Sequence, residues 1–493
     1  MKILNFIIPA LFGLIGIFAF APFSIKFLIF ISYGYLIHLL ISNNNGVFWK
    51  VFCWGLGHWG LGMSWIIVSV YYYGETTLAM SSIIYILLVV ILTLIFTSPL
   101  LILKSALSFT KINNNFFSVL FISSIFTISE FSRYFFLNGV PWLIPGNIFL
   151  DTISQNIYPI FGVTAASFFI YFICALFIVY SNKKIFYVSA AILIISLLPF
   201  SPADETKDGI KVSIVQPASD PFLKYEDNYY LKIEDNLNKL IDTVSKDSEL
   251  VVLPEAELPY SQNSIRFINF LRNTEISEKI ILGVWKYDDA KLYNAIYSPR
   301  YNEAYKKIHL VPFGEYIPFI EGLRGIINFF DLPMSNVSHG SQLQENIRIL
   351  DNIPISSPIC CDIAFPHTVR HMNKSSLVMI NVSNDTWFGN SIGPYHHLSI
   401  ARVRSIENNR YTIRATNDGI SAIISNKGTI VTLLDKGKSG ILEGNVKLIK
   451  NSTFYSRNGP LFFIIFANSF FSFLLPLNIK GRVYLRSKAL LSF

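Results

Sequence analysis

The order of hydrophobic and polar residues divides the chain into two apolar ends and a polar middle. Before residue 201, several apolar runs reach the roughly 20 residues that a helix needs to cross a ~30 Å hydrocarbon core. The pattern predicts seven membrane helices here, the second and seventh of them short, at about 4–22, 26–42, 50–71, 81–103, 116–137, 157–180 and 185–200. An eighth membrane helix is predicted at about 460–477.

The polar middle has a different periodicity. Short β-type runs alternate with helical stretches over about 250 residues, which is typical of one layered α/β domain. The pattern predicts strands at about 210–215, 250–253, 279–284, 294–297, 377–382 and 421–424, and helices at about 224–247, 261–274 and 396–409. The chain therefore divides into a transmembrane domain (1–201), an α/β domain (202–458), and a C-terminal transmembrane helix with a basic tail (459–493).

The composition excludes several classes of protein. Hydrophobic residues make up 52% of the 493 residues and charged residues only 15%, whereas a soluble domain carries about a quarter charged residues. The hydrophobic content excludes intrinsic disorder, and a total of four Cys excludes a disulfide scaffold. The composition indicates a membrane protein with a large soluble insert.

The net charge of +8 lies in the apolar ends of the chain. Residues 1–200 hold eight Lys and Arg against three Asp and Glu, 201–450 hold 27 against 29, and 451–493 hold five against none. This distribution argues against a nucleic-acid partner. It indicates instead how the membrane helices are oriented. With the N-terminus in the cytoplasm, ten basic residues flank spans on the inside, and only Lys26 and Arg133 lie in short outside loops. The domain at 202–458 is then expected outside the cytoplasmic membrane.

Three segments of the polar middle carry groups suited to catalysis. Glu255 lies in a Pro-bounded turn after a predicted strand, and Lys307 and Glu315 flank an apolar strand end that contains Pro and Gly. A third β-rich run leads into a turn that holds Cys360, Cys361 and Asp362. Each segment alone is a weak indication, because acidic residues at strand ends are often merely solvated.

A cysteine outside the membrane can be a disulfide partner, a metal ligand, a buried hydrophobic residue or a nucleophile. Cys360 and Cys361 are adjacent, and a bridge between neighbours strains the peptide; the 202–458 segment holds no other Cys. A metal site would have to recruit His367 and His371, but the spacing of the thiols fits no zinc pattern. We expect no metal.

A nucleophilic cysteine needs a proton acceptor and a cation that stabilises the developing charge, and Glu255 and Lys307 offer both. Glu255, Lys307 and Cys360, separated by 52 and 53 residues, resemble the catalytic triad of the nitrilase (carbon–nitrogen hydrolase) superfamily. The flanking sequence and the seven-plus-one arrangement of predicted spans resemble, more narrowly, the bacterial apolipoprotein N-acyltransferase family. The motifs that carry this resemblance are HLVPFGE at 309–315, NDTWFG at 384–389, SIGP at 391–394 and RATNDG at 414–419.

The resemblance implies an αββα sandwich for the α/β domain and a ping-pong acyl transfer. By position in the motifs, Glu255 is the implied general base, Lys307 the cation that stabilises the oxyanion, and Cys360 the nucleophile. Glu315 matches a second essential Glu that supports the triad.

The sequence departs from the family at three positions. The family's aromatic residue after the nucleophile is Cys361, its following Glu is the shorter Asp362, and a functional Trp before the first helix of the domain is Tyr225. These departures put the roles of the three positions in doubt and leave the implied chemistry intact.

The resemblance also implies the reaction. A fatty acyl chain passes from a phospholipid, through a Cys thioester, to the N-terminal amine of a lipoprotein whose Cys already carries a diacylglyceryl group. Membrane lipids are the other expected partners, no cofactor is expected, and the chain is expected to be a monomer in the bacterial inner membrane with its catalytic domain on the periplasmic side. Two alternatives remain: a membrane-tethered nitrilase-type amidase that hydrolyses a small amide, and a transporter or scaffold whose insert only binds, against which a complete triad argues.

Two apolar features near the motifs each admit two interpretations. The segment 319–334, which includes Phe329 and Phe330, either dips into the membrane surface to admit acyl chains or forms an ordinary packed helix. Trp387 and Phe388 either line an acyl pocket or pack in the core.

The charged residues outside the triad are also open to two interpretations. Glu130 and Arg133 either line a path for lipid or substrate or form an interfacial helix end, which we prefer. His396 and His397 are expected to be structural residues at a helix start. Four arginines either meet lipid phosphate or, as we prefer, form a solvated helix face paired with Glu407; they are Arg402, Arg404, Arg410 and Arg414.

Overall fold

The computed structural model describes residues 3–42, 46–73, 77–109, 116–135, 139–180, 182–202, 209–220, 229–312, 314–316 and 336–460. Three residues predicted to contribute to the site, Tyr225, Phe329 and Phe330, lie outside the described residues. The predicted span at about 460–477 also lies outside them, except for its first residue.

All seven apolar stretches before residue 201 contain helix. The helices are α1 (Leu4–Ile15), α2 (Leu28–Ile41), α3 (Val47–Gly62), α4 (Trp65–Tyr73), α5 (Leu78–Phe109), α6 (Phe116–Phe131), α7 (Tyr158–Val179) and α8 (Lys183–Ser196). Among the described residues, three segments are long and apolar enough to cross a membrane, namely Leu78–Leu101, Phe116–Tyr134 and Ile153–Val179. The pair α3–α4, bent by 60°, makes a fourth if it is counted as one span. A total of eight spans therefore stays a prediction.

Glycines bring α1 and α3 into close contact. A Cβ atom at Gly13 would lie 1.9 Å from the carbonyl oxygen of Trp54, and one at Gly57 would lie 1.9 Å from the carbonyl oxygen of Ala10. Small residues let helices in a bilayer approach this closely, where packing rather than burial from water holds them together. A larger residue at either glycine would force the two helices apart.

The polar middle folds into two six-stranded sheets. Its strands are β1 (Ile210–Gln216), β2 (Leu250–Val252), β3 (Ile280–Asp288), β4 (Lys291–Ser298), β5 (Glu303–Lys306), β6 (Arg348–Ile349), β7 (Ile353–Ser356), β8 (Val378–Ser383), β9 (Thr412–Thr416), β10 (Ser421–Ile424), β11 (Ile430–Leu434) and β12 (Gly440–Val446). The strand orders are β12-β1-β2-β3-β4-β5 and β11-β10-β9-β8-β7-β6. The strands β1–β3 are parallel in the first sheet and β7–β9 in the second, and the remaining pairs are antiparallel.

The two sheets face each other across an apolar core, and helices cover both outer faces. Ile214, Val252, Ile380 and Ile413 belong to one buried cluster that joins the sheets. The helices of the domain are α9 (Tyr229–Asp242), α10 (Ile265–Asn273), α11 (Pro366–Met372), α12 (Gly393–Asn408) and α13 (Phe454–Asn458). Residues of α9 and α10 cluster with the first sheet, and residues of α11 and α12 cluster with the second. This arrangement is the αββα sandwich that the sequence resemblance implies.

The second helical layer also joins the sandwich to the membrane helices. Residues of α12 share one apolar cluster with the helices of the first 180 residues. The backbone N–H of Val163 in α7 donates to Glu407 of α12 at 2.7 Å. Gly162 has a φ of +77°, and a Cβ there would meet the ring of Tyr455 in α13 at 2.4 Å, so only glycine fits. The sandwich therefore rests directly on α7.

All six predicted strands are present, with bounds that differ by a few residues. The predicted helices near 224–247, 261–274 and 396–409 correspond to α9, α10 and α12. Six further strands escaped prediction: β5, β6, β7, β9, β11 and β12. β5, β6 and β7 are only two or four residues long, and β9 and β12 carry a charged residue inside the strand, which weakens the apolar pattern. Neither reason applies to β11.

One prediction about charged residues is wrong. Arg404, Arg410 and Arg414 are at most 1% exposed and do not form a solvated face, although Arg404 does pair with Glu407. Glu130 and Arg133 lie at the C-terminal end of α6 with both side chains buried, and the position of this helix end at the membrane interface stays a prediction. Buried charges of this kind are tolerated because each is paired or hydrogen-bonded.

Candidate active site

The predicted catalytic residues follow the ends of strands in both sheets. Glu255 follows β2, Lys307 immediately follows β5, and Cys360 begins a short 3-10 helix after β7. The turn that carries Glu255 lies against β3, where a Cβ on Gly283 would be 2.5 Å from the Glu255 Cα atom. Strand ends from two facing sheets thus bring residues more than 100 positions apart in the sequence into one site.

Lys307 lies between two carboxyl groups, and we call Glu255, Lys307 and Glu315 the lysine cluster. The Nζ atom is 3.1 Å from Oε1 of Glu255 and 2.9 Å from the Glu315 carboxylate. The lysine side chain is only 2% exposed. Burial lowers the pKa of Lys307, but the two glutamates outweigh burial and hold that pKa well above its ordinary value. The cluster therefore keeps a permanent cation at the site.

Asn294, on β4, fixes the spacing of the two glutamates. Its Nδ2 atom donates to Oε1 of Glu255 at 2.6 Å and to Oε1 of Glu315 at 2.9 Å. The backbone N–H of Asn384 donates to the other oxygen of Glu255 at 2.8 Å, and that of Val311 to Glu315 at 2.9 Å. The sequence interpretation missed Asn294; its place in a strand whose neighbours are apolar and buried was the available signal.

Cys360 has a strained backbone beside this cluster. Its φ is +45°, in the left-handed region that residues other than glycine seldom adopt, and its side chain is partly exposed. Nε2 of His397 donates to the Cys360 carbonyl oxygen at 3.1 Å and so holds this conformation. Both neighbouring thiols, Cys360 and Cys361, interact electrostatically with Lys307.

The two residues after Cys360 have partners of their own. The thiol of Cys361 donates to the carbonyl oxygen of His309 at 2.9 Å, and its hydrogen bond with Cys360, together with burial, raises the pKa of the Cys361 thiol well above its usual value. Asp362 is fully buried and accepts from the N–H groups of His309 and Ile359. Burial raises the pKa of Asp362 to about 7 despite these donors. Both residues therefore hold the turn that carries Cys360.

Behind Cys360 lies a second ionic group, which we call the arginine cluster: Asp385, His397 and Arg414. Nη2 of Arg414 is 2.5 Å from Oδ2 of Asp385 and 3.0 Å from Nδ1 of His397, and all three side chains are at most 1% exposed. Burial raises the pKa of Asp385, but Arg414 and His397 outweigh it, so the pKa lies well below its usual range. Burial and Arg414 lower the pKa of His397. Nδ1 of His397 lies 3.0 Å from both Oδ1 of Asp385 and Nη2 of Arg414, and its Nε2 donates to the Cys360 carbonyl oxygen.

The sequence interpretation missed the arginine cluster, although Asp385 and Arg414 lie in the quoted NDTWFG and RATNDG motifs. The burial of Arg414 in β9 could not be detected beforehand, because β9 itself was not predicted. His396 and His397 lie in the first turn of α12, as expected of structural residues.

The two predicted acyl contacts differ in their surroundings. Phe388 is 7% exposed and packs on Trp65 and Trp142 of the membrane part, with ring centroids 4.7 and 5.8 Å away. Trp387 is 37% exposed, and its carbonyl oxygen accepts from Ser69 of α4 at 2.6 Å. Phe388 is thus a core residue of the joint between the two parts, and contact of Trp387 with an acyl chain stays a prediction.

The described residues contain no group of three His, Cys, Asp or Glu side chains arranged to hold a metal ion. His367 and His371, the histidines of the alternative metal interpretation, lie on α11.

Comparison with known proteins identifies both parts of the chain. Residues 12–176 match the apolipoprotein N-acyltransferase N-terminal domain, and residues 211–450 match the carbon-nitrogen hydrolase family. The apolipoprotein N-acyltransferase of Haemophilus influenzae is 31% identical over 94% of this chain and 93% of its own, and that of Pasteurella multocida is 30% identical over 87% of each. The NitFhit protein of C. elegans, a solved structure, covers 49% of this chain and 62% of its own at 17% identity, with a TM-score of 0.35. The near full-length similarity shows that the chain belongs to the apolipoprotein N-acyltransferase family.

Proposed function

We propose that the protein moves a fatty acyl chain from a membrane phospholipid, through a thioester on Cys360, to the N-terminal amine of a lipoprotein whose Cys carries a diacylglyceryl group. The observation that carries this proposal is the position of Lys307, whose buried ammonium lies 3.1 Å from Glu255 and interacts with the Cys360 thiol. A base, a cation and a partly exposed thiol at one site are what acyl transfer to sulfur requires.

In the first half-reaction, Glu255 takes the thiol proton while the Cys360 sulfur bonds to the ester carbonyl carbon of the phospholipid. Lys307 stabilises the oxyanion of the tetrahedral intermediate, because one of its three N–H groups remains after the other two reach Glu255 and Glu315. The C–O ester bond then breaks, and the leaving lysophospholipid oxygen takes the proton from Glu255.

In the second half-reaction, the lipoprotein amine bonds to the thioester carbonyl carbon and gives a proton to Glu255. The C–S bond breaks as the intermediate collapses, and the Cys360 sulfur recovers the proton. Glu255 therefore acts as a base and then as an acid in each half-reaction, and the proposed reaction uses no cofactor.

We further propose that the chain crosses the inner membrane eight times as a monomer and carries its 202–458 domain on the periplasmic side. The excess of Lys and Arg on the inside loops supports this orientation. An impermeant thiol reagent should label Cys360 in intact spheroplasts; protection of Cys360 there, with labelling only after lysis, would reverse the orientation.

Intact-mass analysis of the purified full-length protein with phospholipid alone tests the chemistry. An adduct of one acyl chain that hydroxylamine removes is expected on the wild type and on Cys361→Ala, and not on Cys360→Ala. Adding a diacylglyceryl lipopeptide should discharge the adduct to the peptide. Discharge to water at the same rate without peptide would favour the amidase alternative, and an adduct on Cys360→Ala would refute the assignment of the nucleophile.

A further inference from the structure

A small cavity of mixed polar and apolar lining lies at the joint between the membrane helices and the sandwich, apart from the thiol. Its volume is about 80 Å³, against roughly 30 Å³ for one water in the liquid. Lys26, from the loop between α1 and α2, and Arg402, from α12, both line it. A space of this size holds a phosphate group but not an acyl chain.

Both cations at the cavity retain free hydrogen-bonding capacity. Lys26 donates to the carbonyl oxygen of Leu150, which engages one of its three N–H groups. Arg402 donates to Asp151 through both terminal nitrogens and to Gly428 through Nε, which leaves two of its five N–H groups. With Asp151 as the one carboxylate in the lining, the two cations leave an excess of one positive charge.

In the loop beside the cavity, polar residues that line the cavity alternate with exposed apolar residues. This pattern indicates contact with the bilayer. Ser24 and Lys26 line the cavity, whereas Phe23, Ile25 and Phe27 are 43%, 44% and 50% exposed. Large apolar side chains that alternate with cavity-lining polar ones are expected at the level where acyl chains end and headgroups begin.

A buried acceptor completes the lining. Asn147 is 8% exposed, and its Oδ1 atom has no hydrogen-bond partner among the residues that the structure describes. This oxygen is itself buried, so the side chain would have to turn toward the cavity before a headgroup donor could reach it. A buried amide oxygen without a hydrogen bond is energetically unfavourable, and native proteins contain few such atoms.

We propose that this cavity binds the phosphate of a bilayer phospholipid between Lys26 and Arg402, and that the bound lipid links the membrane helices to the sandwich. The site is separate from the triad: His396 lines the cavity, whereas its neighbour His397 reaches the carbonyl oxygen of Cys360 on a different side of α12. The headgroup joins two elements, the α1–α2 loop and α12, that belong to different parts of the chain.

An ether-linked phosphatidylglycerol, which has no ester to transfer, tests the site without any acyl transfer. Its binding to the full-length protein in a nonionic detergent can be measured by native mass spectrometry. Lys26→Gln keeps a donor for the Leu150 carbonyl but removes the charge, so we expect an affinity at least about five-fold weaker, as for loss of one charge-assisted hydrogen bond. Lys50→Gln, which removes a membrane-part lysine that does not line the cavity, and Cys360→Ala should bind like the wild type.

A dialkylglycerol without phosphate should not bind at this site, and millimolar inorganic phosphate should displace the ether lipid only weakly. Equal binding by Lys26→Gln and the wild type, or equal retention of the dialkylglycerol, would overturn the proposal. Inorganic phosphate that binds as tightly as the lipid would identify an anion site instead. The ether lipid cannot acylate Cys360 but also fits the donor site of the proposed function, so the result is taken from the difference between Lys26→Gln and the wild type, which binding at the donor site leaves unchanged.

Discussion

The lysine cluster and the arginine cluster are two buried ionic groups on either side of Cys360, and they differ in what their charges leave available. The lysine cluster places one ammonium between two carboxyl groups and has a partly accessible edge, where the Glu315 side chain is 13% exposed. In the arginine cluster the guanidinium of Arg414 contacts Asp385, His397 and the side chain of Asn381. None of the three side chains of this cluster is more than 1% exposed.

This difference suits the lysine cluster to a reaction and the arginine cluster to structural support. A group that takes a proton and meets a developing oxyanion needs a free hydrogen-bonding direction and a path to substrate. A group that holds a strained backbone works best when every charge is matched and water is excluded. The arginine cluster reaches the site through the bond from His397 to the Cys360 carbonyl oxygen. Opposite effects of mutation on rate and on stability should therefore distinguish the two clusters.

The largest effect is expected from removing the cation of the lysine cluster. Lys307→Gln should lower the rate of acyl transfer to a lipopeptide by at least about 100-fold, because no other described cation contacts Glu255 or Glu315. The initial rate with saturating phospholipid measures this loss.

Lys306→Gln is the matched control. Its amine bonds to Asp288, at 2.5 Å, rather than to the cluster, and the rate should stay within about three-fold of the wild type. A Lys306→Gln enzyme as slow as Lys307→Gln would show that the wrong lysine of the pair had been assigned.

The next largest effect is a loss of stability at the arginine cluster. Arg414→Met leaves the fully buried Asp385 without its cation, and removal of one partner of a buried pair costs about 3–5 kcal/mol. The free energy of unfolding in detergent and urea measures it. Arg300→Met, which removes an exposed arginine that pairs with the exposed Asp351, should cost less than about 1 kcal/mol.

The double variant Arg414→Met/Asp385→Asn should recover part of the loss, because the uncompensated carboxylate is then absent. If Arg414→Met abolished acyl transfer while unfolding like the wild type, the distinction between supporting and reacting clusters would fail.

Sequence reasoning located groups that the fold brings together where chemistry and motif coincide, and it failed where burial decides. The residues Glu255, Lys307 and Cys360 belong to segments whose polar groups stand out against apolar strands, and strand ends of an α/β domain are where such groups converge. The alternation of strands and helices predicted a layered α/β domain, and the resemblance to the family implied the sandwich.

Burial of charge could not be predicted in the same way. Arg404 and Arg414 have the same sequence character as a solvated arginine, and only the packing of α12 between the second sheet and the membrane helices makes them interior. The partners that make burial tolerable, Glu407 and Asp385, lie 3 residues away in one case and 29 in the other. A partner that is distant in the sequence produces no periodic pattern from which it could be predicted.

A smaller effect is expected at Asp362, whose position in the sequence is between the residues of the two clusters. The free energy of unfolding should depend on pH through this carboxyl group. Its folded pKa of about 7 exceeds the ordinary value of about 3.9, so its favourable contribution is complete below about pH 4 and is lost as pH rises through 7. Between pH 5 and pH 8 the wild type should lose about 2–3 kcal/mol of unfolding free energy relative to Asp362→Asn.

Asp242→Asn, at the exposed end of α9, serves as the control and should show no such difference from the wild type. A constant gap between the wild type and Asp362→Asn from pH 5 to pH 8 would mean that Asp362 is ionised throughout and joins the charged groups of the site.

The smallest effect is expected at Cys361, whose thiol lies next to the nucleophile and interacts with the same lysine. Its bond to the His309 carbonyl oxygen and its raised pKa keep this sulfur protonated, and a neutral S–H bond contributes little to the geometry of the turn. Cys361→Ala should therefore retain the acyl adduct and a transfer rate within about five-fold of the wild type. Single-turnover discharge of the adduct to a lipopeptide measures that rate. A loss comparable to that of Lys307→Gln would place the second thiol among the reacting groups, and the lysine cluster would then act on a pair of sulfurs rather than on one.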